Sequence, residues 1–510
     1  MNHLKDQHIL ILGLGASGLA MARWCVRCGA TVTVADTREA PPQLAVLREE
    51  LPAVKFMGGA LDAQLLDASD IRAVFKSPGL SPATVAPVWA AAQAMGLRVG
   101  GELDLFAMAL SDLNEAQQYA PKVLAITGTN GKTTVTALTG QLVARAGKRV
   151  AVAGNIGPTL LDTLRDALDA NDLPEVWVLE LSSFQLDGAQ GFDPSAAVVL
   201  NLTQDHLDWH GNMDAYAQAK ARIFGATGQM VLNREDAAVM AMLPPAVKGK
   251  AFQPAVQREY VSFGADMPQR PGDFGLEQVN GMSWLVRAQE ADETRKKRRN
   301  DDEEELYIQR LMPADALRIR GRHNATNALA ALALAQAAGC SLAPILYGLR
   351  DYKGEPHRVE TVAVVHEVEY VDDSKGTNVG ATVAALQGLG GDRAVGNEAA
   401  RKLVVIMGGD GKGQDFSPLV QPVSRYVRAV VLLGADAPAL RAVLAPSGVT
   451  LLDAASLPEA VTLASRQAHA HDVVLLSPAC ASLDMFDNYE HRARVFCQAV
   501  EAVAQQGGLT

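Results

Sequence analysis

An apolar strand pattern at Val123–Ile126 leads directly into Gly128-Thr129-Asn130-Gly131-Lys132-Thr133-Thr134, and a helical pattern follows from about Thr133 to Ala146, stopping at Gly147. Strand, glycine loop and helix in that order commit this stretch to a parallel α/β sheet with the loop at the carboxyl end of its strand. Glycines let backbone N–H groups converge on phosphate oxygens, and the helix N-terminus adds partial positive charge. Lys132 can reach the β/γ-phosphates of ATP, and the Thr133 hydroxyl can ligate Mg²⁺. The loop is a shortened variant of the common phosphate-binding pattern, because Ile126 stands where that pattern has its first glycine.

A second unit of the same kind opens the chain. His8–Leu12 reads as a strand, Gly13-Leu14-Gly15-Ala16-Ser17-Gly18 as a glycine loop, the stretch to Arg27 as a helix, and Thr31–Ala35 as a strand closing on Asp36. Asp36 lies eighteen residues after Gly18, so the unit read alone is a dinucleotide fingerprint and predicts NAD. An NAD-linked oxidoreductase is therefore the rival from another reaction class, but it leaves the lysine-bearing loop unexplained.

At 510 residues the chain is too long for one hydrophobic core, and two to four domains are expected. The first parallel sheet continues through Ala73–Phe75, before Lys76-Ser77-Pro78-Gly79, to about residue 100, and the polar stretch Ser111–Pro121 reads as a boundary. Strands at Arg149–Ala153, Val176–Leu181 and Ala196–Leu202 lack polar alternation, as parallel strands buried on both faces do. The pattern weakens from Val261 to about Leu311. Within it, the basic run Arg295–Arg299 and the acidic run Asp301–Glu305 cancel in charge and read as a solvated loop. An Ala/Leu-rich helix at Asn324–Ala338 closes the second domain. A third α/β unit follows Pro356, with strands at Leu403–Met407, Ala429–Leu433 and Val473–Leu476. The expected fold class is α/β in three domains: a Rossmann-like domain over 1–111, a central P-loop ATPase-type parallel-sheet domain over 112–356, and a Rossmann-like domain over 357–510.

With 46 basic and 57 acidic residues the formal charge is −11, which disfavours nucleic acid and anionic membrane surfaces as partners. No apolar run is long enough to span a membrane, and the polar start, Met1–His8, has no signal-peptide core, so a cytoplasmic location is expected. The five scattered cysteines argue against a disulfide framework. Cys25 and Cys28 have no second ligand pair for a metal and read as residues of a helix.

Glu180 closes an apolar strand beside Ser182 and Ser183, and His206 follows the next strand in Asp205-His206-Leu207-Asp208. Each alone reads as a strand end or a capped turn. Beside a phosphate loop, a carboxylate and a histidine on neighbouring strand ends are better explained as magnesium ligands.

The runs Ile126–Thr134, Gly154-Asn155-Ile156-Gly157, Leu179–Gln185, Asn201–Asp208, Gly321-Arg322-His323-Asn324-Ala325-Thr326-Asn327, His357-Arg358, Asp372–Asn378 and Ser477–Asp484 together resemble the Mur ligases of peptidoglycan synthesis. The resemblance covers nearly the whole chain. Folylpolyglutamate synthases share part of it but lack the first domain. The last two motifs, with the Rossmann-like first domain, are similar to the D-glutamate-adding members. The L-alanine-adding members are the alternative, and the Asp-Ser-Lys-x-Thr-Asn stretch argues against them.

The resemblance implies an ADP-forming amide ligase that uses ATP and Mg²⁺, two ions being expected, to join UDP-N-acetylmuramoyl-L-alanine and D-glutamate through an acyl phosphate. It implies that Ala16, Ser17, Asp36, Thr37, Arg38, Ser77 and Gly79 hold the uridine nucleotide and that Asn155 faces the substrate. Gly128, Thr129, Asn130, Gly131, Lys132, Thr133 and Thr134 would hold ATP phosphates, and Asn324, Arg358 and Asp373 would contact the nucleotide. Thr133, Glu180, His206 and a carbamylated Lys220 would hold the metal. Lys220 would otherwise read as a surface lysine of a helix over Met213–Phe224. Lys375, Thr377, Lys412, Ser482 and Tyr489 would form the D-glutamate pocket, and a monomer is expected.

Overall fold

Strands without polar residues must be covered on both faces, and the computed structural model shows how this chain covers them. It describes residues 3–67, 70–247, 256–291, 306–391 and 401–507, so the charged runs at Arg295–Glu305 lie outside the described residues. Three sheets follow one another along the chain. The first is all parallel, in the order Lys55–Gly58, Thr31–Asp36, His8–Leu12, Ile71–Lys76, Arg98–Gly101. The strand order reverses between His8–Leu12 and Ile71–Lys76, which places a ligand-accepting crevice at their carboxyl ends. Gly18 lets the helix Ala16–Arg27 pack there, since a Cβ on it would lie 2.0 Å from the Gly13 carbonyl oxygen.

The second sheet has nine strands. Val150–Gly154, Val176–Glu180, Lys122–Thr127, Ala196–Val199, Gln229–Asn233 and Tyr260–Phe263 run parallel. The region where the sequence pattern weakens extends this sheet, with Phe274–Val279, Met282–Glu290 and Leu306–Pro313 as an antiparallel meander. Polar residues such as Ser283, Arg287, Gln289, Gln309 and Arg310 interrupt these strands, which is why an apolar-run pattern missed them. The helix Arg322–Ala337 is buried along most of its length, and a further helix, Leu342–Asp351, follows it, so the unit does not close at Ala338. The third sheet orders Glu360–Val365, Val368–Asp372, Val473–Leu476, Leu403–Gly408, Val427–Leu433 and Thr450–Asp453, and an antiparallel hairpin begins it.

The polar stretch taken as the first boundary is helical. The helix Glu102–Gln117 crosses residue 111, with its first turn capped by Asp104, whose Oδ2 accepts from Gly101 N at 2.7 Å. Phe106 of this helix meets Trp177 of the second sheet edge to face at 5.0 Å between centroids. One apolar cluster therefore runs from Trp24 through Phe106 to Trp177, and the first two units share a core. The third unit has cores of its own, around Val405 and around Phe496. Among the described residues no helix is long and apolar enough to cross a membrane.

Candidate active site

The strand Lys122–Thr127 is fully buried after its first residue and ends where Gly131, at φ +86°, caps the helix Lys132–Arg145. No acidic residue lies in that helix's first turn, so its positive end is left for a ligand. Lys132 Nζ folds back to donate to the carbonyls of Gly128, at 2.9 Å, and Thr129, at 2.8 Å. Lys220 arrives at the same carbonyl. Its Nζ donates to Gly128 O at 2.9 Å and to Thr127 Oγ1 at 3.2 Å. The surface-lysine reading of Lys220 fails: the side chain is 1% exposed, because the helix Met213–Ala221 turns that face onto the phosphate loop. Burial, reinforced by the nearby Lys132 ammonium, holds the Lys220 pKa well below that of an ordinary lysine. Burial likewise lowers that of Lys132.

Two amines converge as donors on one carbonyl oxygen, and Glu180 lies within electrostatic reach of both. The carboxylate is 1% exposed. Its Oε1 accepts from Asn155 Nδ2 at 2.9 Å, while Oε2 is buried with no hydrogen-bond partner. An orphaned anionic oxygen at that depth is costly unless a cation or donor completes it. The donor set therefore fits a hard divalent cation: a buried carboxylate oxygen, a threonine hydroxyl on the loop, and His206 nearby. His206 stands at φ +53° ahead of the short helix Leu207–His210, its ring 4.7 Å from that of Phe184. Burial lowers its pKa, opposed by Asp205 and assisted by Lys132, Lys412 and Lys220, so the ring is held in its neutral, ligand-competent form.

Polar contacts tie the third unit to this loop. Arg358 donates to Thr133 Oγ1 at 2.6 Å. The side-chain amides of Asn130 and Asn378 exchange hydrogen bonds at 3.2 and 3.0 Å. Between the two units lies a cavity of about 760 Å³, lined by Asn130, Gly131, Thr134, Asn324, Arg358 and Asp373, all residues singled out in the sequence, and also by Lys375. Burial raises the Asp373 pKa to about 7, although Ser477 Oγ donates to it at 2.7 Å and Arg358 is near. Burial and Arg358 lower that of Lys375 to about 8, and its Nζ stands 3.5 Å from the Tyr489 ring centroid.

The loops carrying Thr377, Lys412 and Ser482 are laced together. Ala479 N donates to Gly376 O at 3.0 Å, Asp410 and Ala481 form an isolated antiparallel bridge, and buried Arg492 donates to the carbonyls of Ser374 and Cys480. Ser482 is buried in this knot, and Lys412 is exposed at its edge.

The residues expected to bind uridine sit elsewhere, on the first unit. Asp36 is fully buried and accepts from Leu14 N at 2.7 Å and from the Arg38 guanidinium at 2.8 Å, so it orders the glycine loop as well as facing the crevice. Ala16, Thr37, Arg38 and Gly79 are exposed around it, and Ser77 Oγ donates to Gly13 O at 3.1 Å. Ser17 hydrogen-bonds the buried Glu102, which also accepts from Leu161 N of the second unit at 3.0 Å. Sequence reasoning assigned no role to Asn378 or Asn327, although both lie in the quoted motifs. Their isolated amides in apolar or glycine-rich surroundings were the available signal.

These features define a phosphate-loop α/β protein of three units with its cavity between the second and third. Three family models match in succession: the Mur ligase MurD-like N-terminal domain over residues 7–101, the Mur ligase middle domain over 126–267, and the Mur ligase glutamate ligase domain over 357–480. The chain is 70% identical over 508 residues to the UDP-N-acetylmuramoylalanine–D-glutamate ligase of Albidiferax ferrireducens, an alignment covering 100% of this chain and 98% of that one. It is 60% identical to the ligase of the same name from a Polaromonas species, over 100% of both chains. The fold is also that of a Thermotoga maritima Mur ligase solved in complex with ADP, at a TM-score of 0.56 and 15% identity over 98% of this chain and 97% of that one. The chain belongs to the Mur ligase family, the ATP-dependent ligases of peptidoglycan synthesis.

Proposed function

We propose that this enzyme joins D-glutamate to UDP-N-acetylmuramoyl-L-alanine in the cytoplasm, as a monomer, with ATP cleaved to ADP and phosphate. The observation that carries the reading is the convergence of Lys132 and Lys220 on the Gly128 carbonyl, opposite the orphaned Glu180 oxygen and under a cavity between units. The names of relatives at 60–70% identity over the full chain support the choice of amino acid.

The work divides among three units, with the helix Glu102–Gln117 spanning the first boundary at 111 and the third unit beginning at 357. Ala16, Ser17, Asp36, Thr37, Arg38, Ser77 and Gly79 hold the uridine nucleotide, and Asn155 orients the alanyl end. Gly128–Thr134 cradle the ATP phosphates, with Lys132 leaving its carbonyl partners for the β/γ-phosphates. Asn324, Arg358 and Asp373 hold the nucleoside side. The alanyl carboxylate attacks the γ-phosphorus and ADP leaves. The D-glutamate amine then attacks the acyl phosphate carbon, loses a proton, and the tetrahedral species expels phosphate.

Thr133, Glu180, His206 and Lys220 would hold Mg²⁺, which when bound neutralises charge on the transferred phosphoryl group. Lys220 is suited to carry a carbamate, because burial shifts its amine towards the neutral, nucleophilic form. Attack of the unprotonated nitrogen on CO₂ forms the N–C bond and releases a proton to solvent, turning a neutral amine into an anion. Lys375 and Lys412 offer positive charge to a dicarboxylate, with Thr377, Ser482 and Tyr489 shaping its pocket.

The test is to incubate the enzyme with ATP, UDP-N-acetylmuramoyl-L-alanine and a panel of amino acids and follow phosphate release. Release with D-glutamate, and not with L-alanine, L-glutamate or a diamino acid, is expected. Equal release with another amino acid would refute the assignment.

A further inference from the structure

Lys76 takes no part in the chemistry above, yet it is the last residue of a strand flanking the first unit's crevice, at the point where the strand order reverses. Its side chain is 8% exposed, and no described residue hydrogen-bonds it or pairs with it as an ion. The nearest carboxylates are committed elsewhere: Asp104 accepts from Gly101 N and Gln190 N, and Asp187 lies 4.0 Å from Arg222. The ammonium instead lies between two indoles, 5.9 Å from the ring centroid of Trp89 in the first unit and 5.9 Å from that of Trp209 in the second.

Trp209 supplies the second observation. Its Nε1–H is buried and has no acceptor. The ammonium lies in the field of Asp187 and Asp104, yet neither it nor the indole N–H has a hydrogen-bond acceptor among the described residues, and both donors are removed from water and open to an added anion. Phe184 connects it to the reacting end of the site, its ring 4.3 Å from that of Trp209 and 4.7 Å from that of His206. Ser77 connects it to the other end, bonding the glycine loop at Gly13 O.

We propose that Lys76 and the Trp209 indole N–H form a clamp for the diphosphate of the nucleotide-sugar substrate, spanning the first and second units. The inference rests on the reading of the first unit as the uridine-nucleotide site and adds residues that the motifs do not contain. A cation supplied by one unit and a donor supplied by the other tie diphosphate binding to the relative position of the two units.

The experiment compares UDP with uridine, by calorimetry and ligand-observed NMR, on the full chain and on Lys76→Met and Trp209→Phe. Loss of the ammonium is expected to weaken UDP by about tenfold or more and Trp209→Phe by about threefold to tenfold, with uridine unchanged in both. Thermal stability of Lys76→Met should be unchanged or raised, because an unpaired buried charge is replaced by an apolar chain of similar length. Equal losses for UDP and uridine, or no loss for either, overturn the clamp, as does a destabilised variant that loses both ligands together. Wild-type enzyme that binds no UDP would instead refute the reading of the first unit, and the clamp with it.

Discussion

Asp373→Asn separates the electrostatics of the cavity from its packing. The carboxyl is buried, 6% exposed, and its pKa is raised from 3.8 to about 7, chiefly by desolvation. A raised folded pKa means that the folded state holds a proton the unfolded chain releases. The protein therefore carries the full stability of the neutral acid below about pH 4 and loses it as pH rises towards 7. Three pH units at about 1.4 kcal/mol each amount to a loss of about 4 kcal/mol between those limits. Asparagine keeps an oxygen to accept from Ser477 Oγ, now at 2.7 Å from the carboxylate, and removes the proton from the balance.

Urea unfolding of the transition that includes the third unit, measured for both proteins at half-unit intervals from pH 4.5 to 8, reads the difference directly. The wild-type curve should fall relative to the variant by up to about 1.4 kcal/mol per pH unit and become parallel above pH 7. KM for ATP should change through pH 7 in the wild type, as the acid becomes a carboxylate able to accept two hydrogen bonds, and stay flat in the variant. Parallel stability curves across the whole range would show that the acid is ionised throughout, and the account of its burial would be wrong.

Glu180→Gln should lower the rate of phosphate release by on the order of 10²–10³-fold while leaving thermal stability unchanged or higher, since a neutral amide replaces a buried carboxylate with an unpartnered oxygen; retention of wild-type turnover would remove Glu180 from the metal site. Lys220→Met should leave the fold intact and abolish ligation, and wild-type activity should fall in CO₂-depleted buffer and recover with bicarbonate; activity indifferent to CO₂ would exclude the carbamate. Gly18→Ala places a methyl 2.0 Å from the Gly13 carbonyl oxygen and should cost about 1–3 kcal/mol with loss of UDP binding, read by melting and calorimetry; a variant as stable as wild type would show that the loop relaxes freely. Chelation of Mg²⁺ should stop ligation and leave UDP affinity unchanged, whereas a parallel loss of UDP binding would place metal at the first unit.

Local pattern was enough for much of this protein. A strand, a glycine loop and a helix are set by residues within a dozen positions of one another, so both loops, the helix behind each, and the strand end at Glu180 were legible, whereas His206 lies beyond its strand, which ends at Val199, and caps a short helix. Backbone geometry dictates the residue types there, as at Gly131 with φ +86° and at Gly18 beside Gly13. The strands Phe274–Val279, Met282–Glu290 and Leu306–Pro313 were not legible, because polar residues interrupt their apolar pattern and they extend a parallel sheet built by residues far away in the chain.

Long-range packing decided the rest. Nothing near Lys220 in the chain announces that its helix turns inwards; burial against Thr127 and Gly128 lowers that amine's pKa, and desolvation depends on everything around it. The same holds for Asp373 and for Lys76, whose surroundings come from strands and helices far away in sequence. The chain's sequence thus determined which chemical groups stand at the ends of which strands. Only the tertiary structure decided which of them lie away from water, which share a partner, and therefore which are charged.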